Sequence, residues 1–351
     1  MNLYTPEGWV WVSSIREEAQ ASGLPFVVMF GARGTGKTFG FIDELRLQHP
    51  APFLYMRRTQ VQIDLINSPD LTPFNDVDNK KGCLTAIRKI NKYIGGVYDA
   101  SLEDGIKVPH GAPLAYTVAL ASVHNIRGYT MPIDEIVLDE FCPEKGERHK
   151  IPDEFDVFRN AYETLNRNRE LEGRPPIRAW LLSNSNMLGN AYFIGLGIVE
   201  LVDKMKRKKI PVVKLPERGL MIINLEASPI SEKKANTALY KLTGEDAFTR
   251  MALKNEFAQE SRSRTGSLPL PELLPVVRIG ELQIYRHKSR RQLYGSLHRS
   301  GSPETFGTDD ASIARFRARY GWLWEEYIED RILWQTYLPE LLFRKFFGEN
   351  Y

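Results

Sequence analysis

Cysteine is nearly absent: Cys83 and Cys142 are the only two in 351 residues. Two cysteines cannot build a disulfide framework, so a reducing, intracellular setting is expected. The opening "MNLYTPEGWVWV" lacks the basic stretch and long apolar core of a signal peptide. No apolar run approaches the roughly 20 residues that span a bilayer, so no membrane partner is expected. Internal repeats and long low-complexity tracts are missing too, which excludes a solenoid. Nor is there a strong excess of one charge overall: the net value is +3.

That balance hides an asymmetry. Residues 201–351 hold 26 Lys and Arg against 19 Asp and Glu, while residues 1–200 hold 21 against 25. The basic C-terminal part either faces a polyanion or is simply a solvated surface. With 42% hydrophobic and 26% charged residues the chain is ordinary for a globular protein. Its length suits about two domains.

Short apolar runs bounded by turn residues alternate with helical patterns. "PFVVMF" (25–30) reads as a buried strand, "KTFGFIDELRLQ" (37–48) as a helix and "FLYMRR" (53–58) as the next strand. Strand, helix, strand at this spacing is a βαβ unit, so the fold class is α/β with a mainly parallel sheet. Further strands are expected at 112–120, 134–141 and 177–186, with a helix over 151–170. We therefore expect an ATPase-type domain over 1–205 and a small helical lid or linker over 206–257. A Ser/Gly/Pro-rich linker, "SRSRTGSLPLPELLP", then leads into a C-terminal domain within 258–351.

"GARGTGKT" (31–38) matches the phosphate-binding pattern G-x-x-x-x-G-K-[ST] between a strand and a helix. Its glycines permit backbone conformations that turn N–H groups of Gly31, Ala32, Arg33, Gly34, Thr35 and Gly36 toward phosphates. The helix N-terminus adds positive potential. Lys37 is expected on the β and γ phosphates of ATP, and the Thr38 hydroxyl on Mg²⁺. A second Mg²⁺ ligand is expected at the end of a buried strand; "IVLDE" supplies Asp139. Glu140, next in the chain, suits a base for the attacking water. "LLSNSN" ends another strand, and Asn184 is the candidate γ-phosphate sensor; an ordinary polar strand end or helix cap is the alternative. In "NRNRE", Arg167 and Arg169 read by chemistry alone as a solvated basic helix end.

In this order, "GARGTGKT", "FLYMRRT", "IVLDEF", "NRNRE" and "LLSNSN" resemble the genome-encapsidation ATPases of small podophages with protein-primed linear genomes. These belong to the additional-strand, catalytic-glutamate P-loop class, related to FtsK/HerA-type translocases and terminase large subunits. The resemblance covers about 25–257. It implies a homo-oligomeric ring, taken as a pentamer, that docks on the portal of a prohead and pumps double-stranded DNA inward. The ring would act in the host cytoplasm and leave the mature virion. Some members also dock through a structural RNA. The match places the family's arginine finger on Arg167, acting with Glu140 and Lys37 in catalysis. A basic residue that members carry just after "RR" is missing, since Gln60 follows Thr59.

The resemblance further implies that the C-terminal domain is α+β and RNase H-like, a vestigial nuclease. Its acids Asp309, Asp310, Glu325, Glu326, Glu329 and Asp330 fall in a loop and on a helical stretch, unlike a two-metal cluster. The run 285–299 offers Arg286, Lys288, Arg290, Arg291 and Arg299 with Tyr285 and Tyr294, either as a phosphate-contacting surface or as a solvated basic loop. Arg127, in "VHNIRGYT", is a candidate DNA contact on a pore loop. Two rival functions stay open: a small-molecule P-loop kinase, and a scaffold that holds nucleotide only as a structural ligand.

Overall fold

The computed structural model describes residues 1–47, 51–69, 71–126, 128, 130–143, 151–184, 187–225, 228–243, 249 and 264–348. The chain divides into two compact units. One comprises Met1–Met187 with Met205–Ala258, the other Leu188–Lys204 with Gln259–Tyr351.

The first unit is built on a nine-stranded sheet. Its strands are β1 (Phe26–Gly31), β2 (Phe53–Arg57), β3 (Thr85–Lys89), β4 (Ile94–Glu103), β5 (Ile106–Ala119), β6 (Glu135–Asp139), β7 (Arg178–Asn184), β8 (Val212–Leu215) and β9 (Leu220–Leu225), in the order β3-β4-β5-β2-β6-β7-β1-β9-β8. Pairings from β5 through β9 are parallel, whereas β3, β4 and β8 join antiparallel. Helices on both faces make the central strands continuously apolar: β1 and β6 are almost wholly buried. Helix α1 (Val12–Ala21) and helix α2 (Lys37–Leu47) supply Ile15, Ala19, Phe41, Ile42 and Leu45 to this core. Phe41 meets Trp180 edge-on at 4.7 Å, which seats α2 against β7.

Local chemistry accounts for several boundaries. Helix α3 (Gln60–Ile66) opens on a capping box between Thr59 and Gln62. Helix α4 (Phe74–Lys81) ends at Gly82 with φ 68°. Helix α5 (Glu154–Asn166) stops four residues short of the expected 170, because Arg167 takes φ 48° and ψ −133°. The division expected after residue 205 does not hold. β9 pairs in parallel with β1 over its full length, and β8 closes the edge, so residues 212–225 belong to the main sheet. Their apolar side chains are buried by that pairing, which a reading of composition alone does not reveal. Helices α8 (Pro229–Ala235) and α9 (Ala238–Thr243) follow; most of the expected second helix lies outside the described residues.

The second unit is α+β. Strands β10 (Leu273–Ile279), β11 (Leu282–His287), β12 (Leu293–Ser296), β13 (Glu304–Phe306) and β14 (Ile332–Trp334) form a mixed sheet in the order β13-β10-β11-β12-β14. Helices α10 (Asp310–Tyr320), α11 (Trp322–Ile328) and α12 (Tyr337–Phe346) pack Phe316, Leu323, Phe343 and Phe346 onto it. Helix α6 (Ala191–Gly195) and most of helix α7 (Val199–Arg207) group with this unit. There Thr336 donates to Glu200 at 2.8 Å. The expected linker is partly structured: Thr265 bridges to Trp334, and β10 begins at Leu273. Among the described residues no helix is long and apolar enough to cross a membrane.

Candidate nucleotide site

β1 ends at Gly31, where a Cβ would lie 2.5 Å from Cβ of Leu225 on β9. Only glycine lets the two strands stay paired at that point. The loop that follows uses Gly34 (φ 63°) and Gly36 (φ 87°) to reach the start of α2. Ala32, Thr35 and Lys37 are buried.

Parallel pairing brings three strand ends together at this loop. β7 lies between β1 and β6, with Gly31 opposite Asn184 and Asp139 opposite Leu182. Lys37 Nζ donates to Ala32 O at 2.8 Å and to Asn184 Oδ1 at 3.2 Å. Thr38 Oγ1 donates to Asp139 Oδ2 at 2.7 Å. The expected residues Lys37, Thr38, Asp139 and Asn184 thus converge from positions up to 147 apart in the chain. Glu140 follows with φ 56°, a left-handed conformation rare for a residue with a side chain. That turn stops β6 and leaves the Glu140 side chain 43% exposed, while Asp139 is 2% exposed.

Reading the sequence missed the groups that hold these acids. Tyr55, on β2, donates to Asp139 Oδ2 at 2.7 Å. Arg57 Nη2 lies 3.0 Å from the same oxygen, and Arg57 Nη1 pairs with Glu140. One guanidinium therefore bridges both carboxylates, lowering their mutual repulsion. Burial would lower the Arg57 pKa, but Tyr55, Asp139 and Glu140 carry it upward. Burial likewise raises the Tyr55 hydroxyl well above its usual value, with Asp139 adding to the shift. Burial pulls Lys37 down to about 8; Asp139 and Glu140 oppose that shift, while Lys234 and Arg33 add to it. The doublet "RR" was the available sequence signal for Arg57. Its neighbour Arg58 turns the other way, into a buried bidentate pair with Glu154 at 2.8 Å for both contacts.

Arg167 and Arg169 part company. Arg169 donates to Ile133 O at 2.8 Å and pairs with Asp134 at 2.5 Å, within its own chain. Arg167 is exposed at the residue that breaks α5. Arg127 lies outside the described residues.

In the second unit Arg286, Lys288, Arg290, Arg291 and Arg299 are exposed on β11, β12 and their flanking turns. Tyr285 and Tyr294 are not available beside them. They are 0% and 2% exposed and pack on each other at 6.4 Å, because their side chains point to the core face of the hairpin. The basic surface is thus without those aromatic platforms. Asp309 caps α10 by accepting from Ser312 N at 2.9 Å, and Glu326 holds Arg331 at 2.7 Å. Among the described residues no group of three or more Asp, Glu, His or Cys is placed to hold a metal.

Comparison with known proteins adds kinship to this geometry. Residues 110–265 match the model of the podovirus DNA encapsidation protein (Gp16) family. The chain resembles podovirus DNA encapsidation proteins. That match takes in Asp139, Glu140, Arg167 and Asn184 and begins after the phosphate loop. A DNA packaging protein of Bacillus phage B103 is 24% identical over 249 residues, 68% of this chain and 65% of that relative's length. The encapsidation likeness extends to solved structures. The bacteriophage phi29 genome packaging motor assembly covers 98% of this chain and 100% of its own, with 18% identity and a TM-score of 0.65. The Phi-28 gp11 DNA packaging motor covers 99% and 100%, with 16% identity and a TM-score of 0.59. At these identities the two structures establish the shared fold.

Proposed function

We propose that the chain is an ATP-hydrolysing motor that drives double-stranded DNA into a phage prohead. The observation that carries this reading is the interposed strand β7. It sets Asn184 between the phosphate loop and a strand that ends in the adjacent acids Asp139 and Glu140. A strand added at this place, followed by a catalytic glutamate, marks the motor class of P-loop proteins that the sequence resembles. A small-molecule kinase has no need of the glutamate.

The loop amides and Lys37 bind the phosphates of ATP by charge-assisted hydrogen bonds. The Thr38 hydroxyl and the Asp139 carboxylate, 2.7 Å apart, are hard oxygen donors. A hydroxyl, one carboxylate and substrate phosphates are the donor set that Mg²⁺ takes, so these residues fit the ion. When bound, Mg²⁺ neutralises charge on the β and γ phosphate oxygens. Glu140 orients water and accepts its proton. Arg57 holds Asp139 and Glu140 in register until nucleotide arrives. Asn184 reports on the γ position through Lys37. Arg167, exposed at the end of α5, reaches a neighbouring subunit's site in a homo-oligomeric ring, taken as a pentamer. The basic surface of the second unit contacts nucleic-acid phosphates, DNA or a packaging RNA. The ring docks on the portal in the host cytoplasm and leaves once the prohead is filled.

Purified protein is mixed with proheads, genome-length DNA, Mg²⁺ and ATP, and DNA protected from nuclease is scored. Protection that requires ATP, together with DNA-stimulated ATP turnover, is expected. Turnover indifferent to both DNA and proheads would overturn the motor reading.

A further inference from the structure

The phosphate-binding pattern requires glycine at 31 and 36 and leaves residue 34 open, yet the chain carries Gly34. A Cβ built on Gly34 would stand 2.1 Å from Nζ of Lys234 and 3.1 Å from its Cε. The third glycine therefore admits the head of a lysine located two hundred residues later, besides supporting a positive φ. Lys234, in the last turn of α8, donates to Arg33 O at 2.9 Å. One carbonyl uses one of an ammonium's three donors. Among the described residues no carboxylate lies within ion-pair distance of Lys234.

The lysine is held there by a built contact. Ser228 Oγ, just before α8, donates to Gly8 O at 3.3 Å, and Lys233 Nζ donates to Glu7 O at 3.1 Å. The segment around Gly8 is tied in turn to the loop, since Val10 N donates to Thr35 O at 3.0 Å. Trp9 covers Gly36, with its ring 3.2 Å from where a Cβ would stand. Two segments from outside the motif therefore clasp the loop, one of them delivering a cation. Arg33, Lys37 and Lys234 all bear on this loop, and their mutual repulsion is visible in the lowered pKa of both lysines, for which burial is the largest cause. The nearby acids, Asp139 and Glu140, are bridged by Arg57. The charge that the loop lacks is that of a polyphosphate.

We propose that Lys234 is a second phosphate-binding lysine, whose ammonium contacts the di- or triphosphate chain of the bound nucleotide alongside Lys37. Nucleotide occupancy thereby fixes α8 against the phosphate loop. This rests on residues 31–38 being the ATP site.

The test is equilibrium binding of ATP, ADP and AMP, with Mg²⁺, to the full chain and to Lys234→Met, Lys234→Gln, Lys234→Arg and Lys37→Ala. A hydrogen bond to a charged group predicts that Lys234→Met and Lys234→Gln weaken ATP and ADP binding by about 10- to 100-fold. AMP affinity should change less than about threefold, and Lys234→Arg should recover most of the loss. The nucleotide-free melting temperature should stay within about 2 °C of the parent, as expected for a surface-facing change. Unchanged ATP affinity in the Met and Gln variants overturns the proposal. So does tighter ATP binding, which would make Lys234 a plug, or an equal loss for AMP, which would make it a purely structural support. Retained binding in Lys37→Ala would instead refute the nucleotide site itself. Loss in Lys37→Ala with indifference at Lys234 refutes only the present inference.

Discussion

Raising the pH from about 7 to about 9 should weaken ATP binding through Lys37. Burial depresses the Lys37 pKa from 10.5 to about 8 in the empty site. Phosphate oxygens favour the charged form, so the bound state returns the pKa to its ordinary range or above. At about pH 7 roughly nine-tenths of empty sites already hold the proton, and binding needs almost none from solution. At about pH 9 only about one site in ten holds it, so binding must take up about 0.9 proton and apparent affinity falls about tenfold. Stability follows the same linkage with the opposite trend. The unfolded chain binds the Lys37 proton more tightly, so between about pH 8 and pH 10.5 it carries more protons than the folded chain. Nucleotide-free stability therefore gains as pH rises through that window, by about 3 kcal/mol from this group in full. Calorimetric titration with Mg-ATP in two buffers of different ionisation enthalpy counts the protons directly. The nucleotide's own terminal phosphate is already deprotonated over the upper part of the range. Affinity that stays flat from about pH 7 to about pH 9, with no proton uptake at the upper end, would refute a buried, depressed Lys37.

Glu140→Gln should keep ATP affinity while turnover falls about 10²- to 10⁴-fold, because the amide cannot take the proton from water; near-normal single-turnover rates would assign the water to another residue. Arg58→Met should strand the buried Glu154 carboxylate and cost about 3–5 kcal/mol, lowering the melting temperature by about 10 °C, whereas Arg58→Met with Glu154→Leu should regain more than half of the loss. A drop below about 2 °C would show that the pair carries little. Arg167→Ala and Glu140→Gln should each lack DNA-stimulated turnover but recover some when mixed, since the finger of one serves the intact site of the other; confirmed mixed rings with no recovery would place Arg167 outside a neighbour's site. Arg290→Ala with Arg291→Ala should reduce the slope of log affinity for DNA against log salt by about 1.8, and an unchanged slope would remove that surface from the interface.

The phosphate loop was legible in the sequence because its chemistry is local. Eight consecutive residues carry the backbone freedom, the lysine and the hydroxyl, and a β-branched apolar run ahead of them can only be a buried strand. Asp139 and Glu140 were legible for a similar reason, as two acids ending an apolar run too short to be a helix. Resemblance, rather than spacing, singled out Arg167 from Arg169, and the tertiary structure then gave Arg169 a partner in Asp134.

Other features depended on strand order, which no local pattern encodes. Residues 212–225 look like a separate hairpin until β9 pairs with β1; Tyr285 and Tyr294 look like stacking platforms until the register of β11 and β12 turns them inward. Arg57 and Arg58 are adjacent and chemically identical, yet the alternation of side chains at the end of β2 sends one to the acids Asp139 and Glu140 and the other to Glu154. Lys234 is one lysine among many in a basic stretch. What distinguishes it is the parallel pairing of β9 beside β1, which delivers the following helix to the rim of the phosphate loop. Local sequence determines which groups can bind a phosphate, because that depends on bonds a few residues long. Only tertiary structure decides which distant charges meet them, because that depends on how the sheet is ordered.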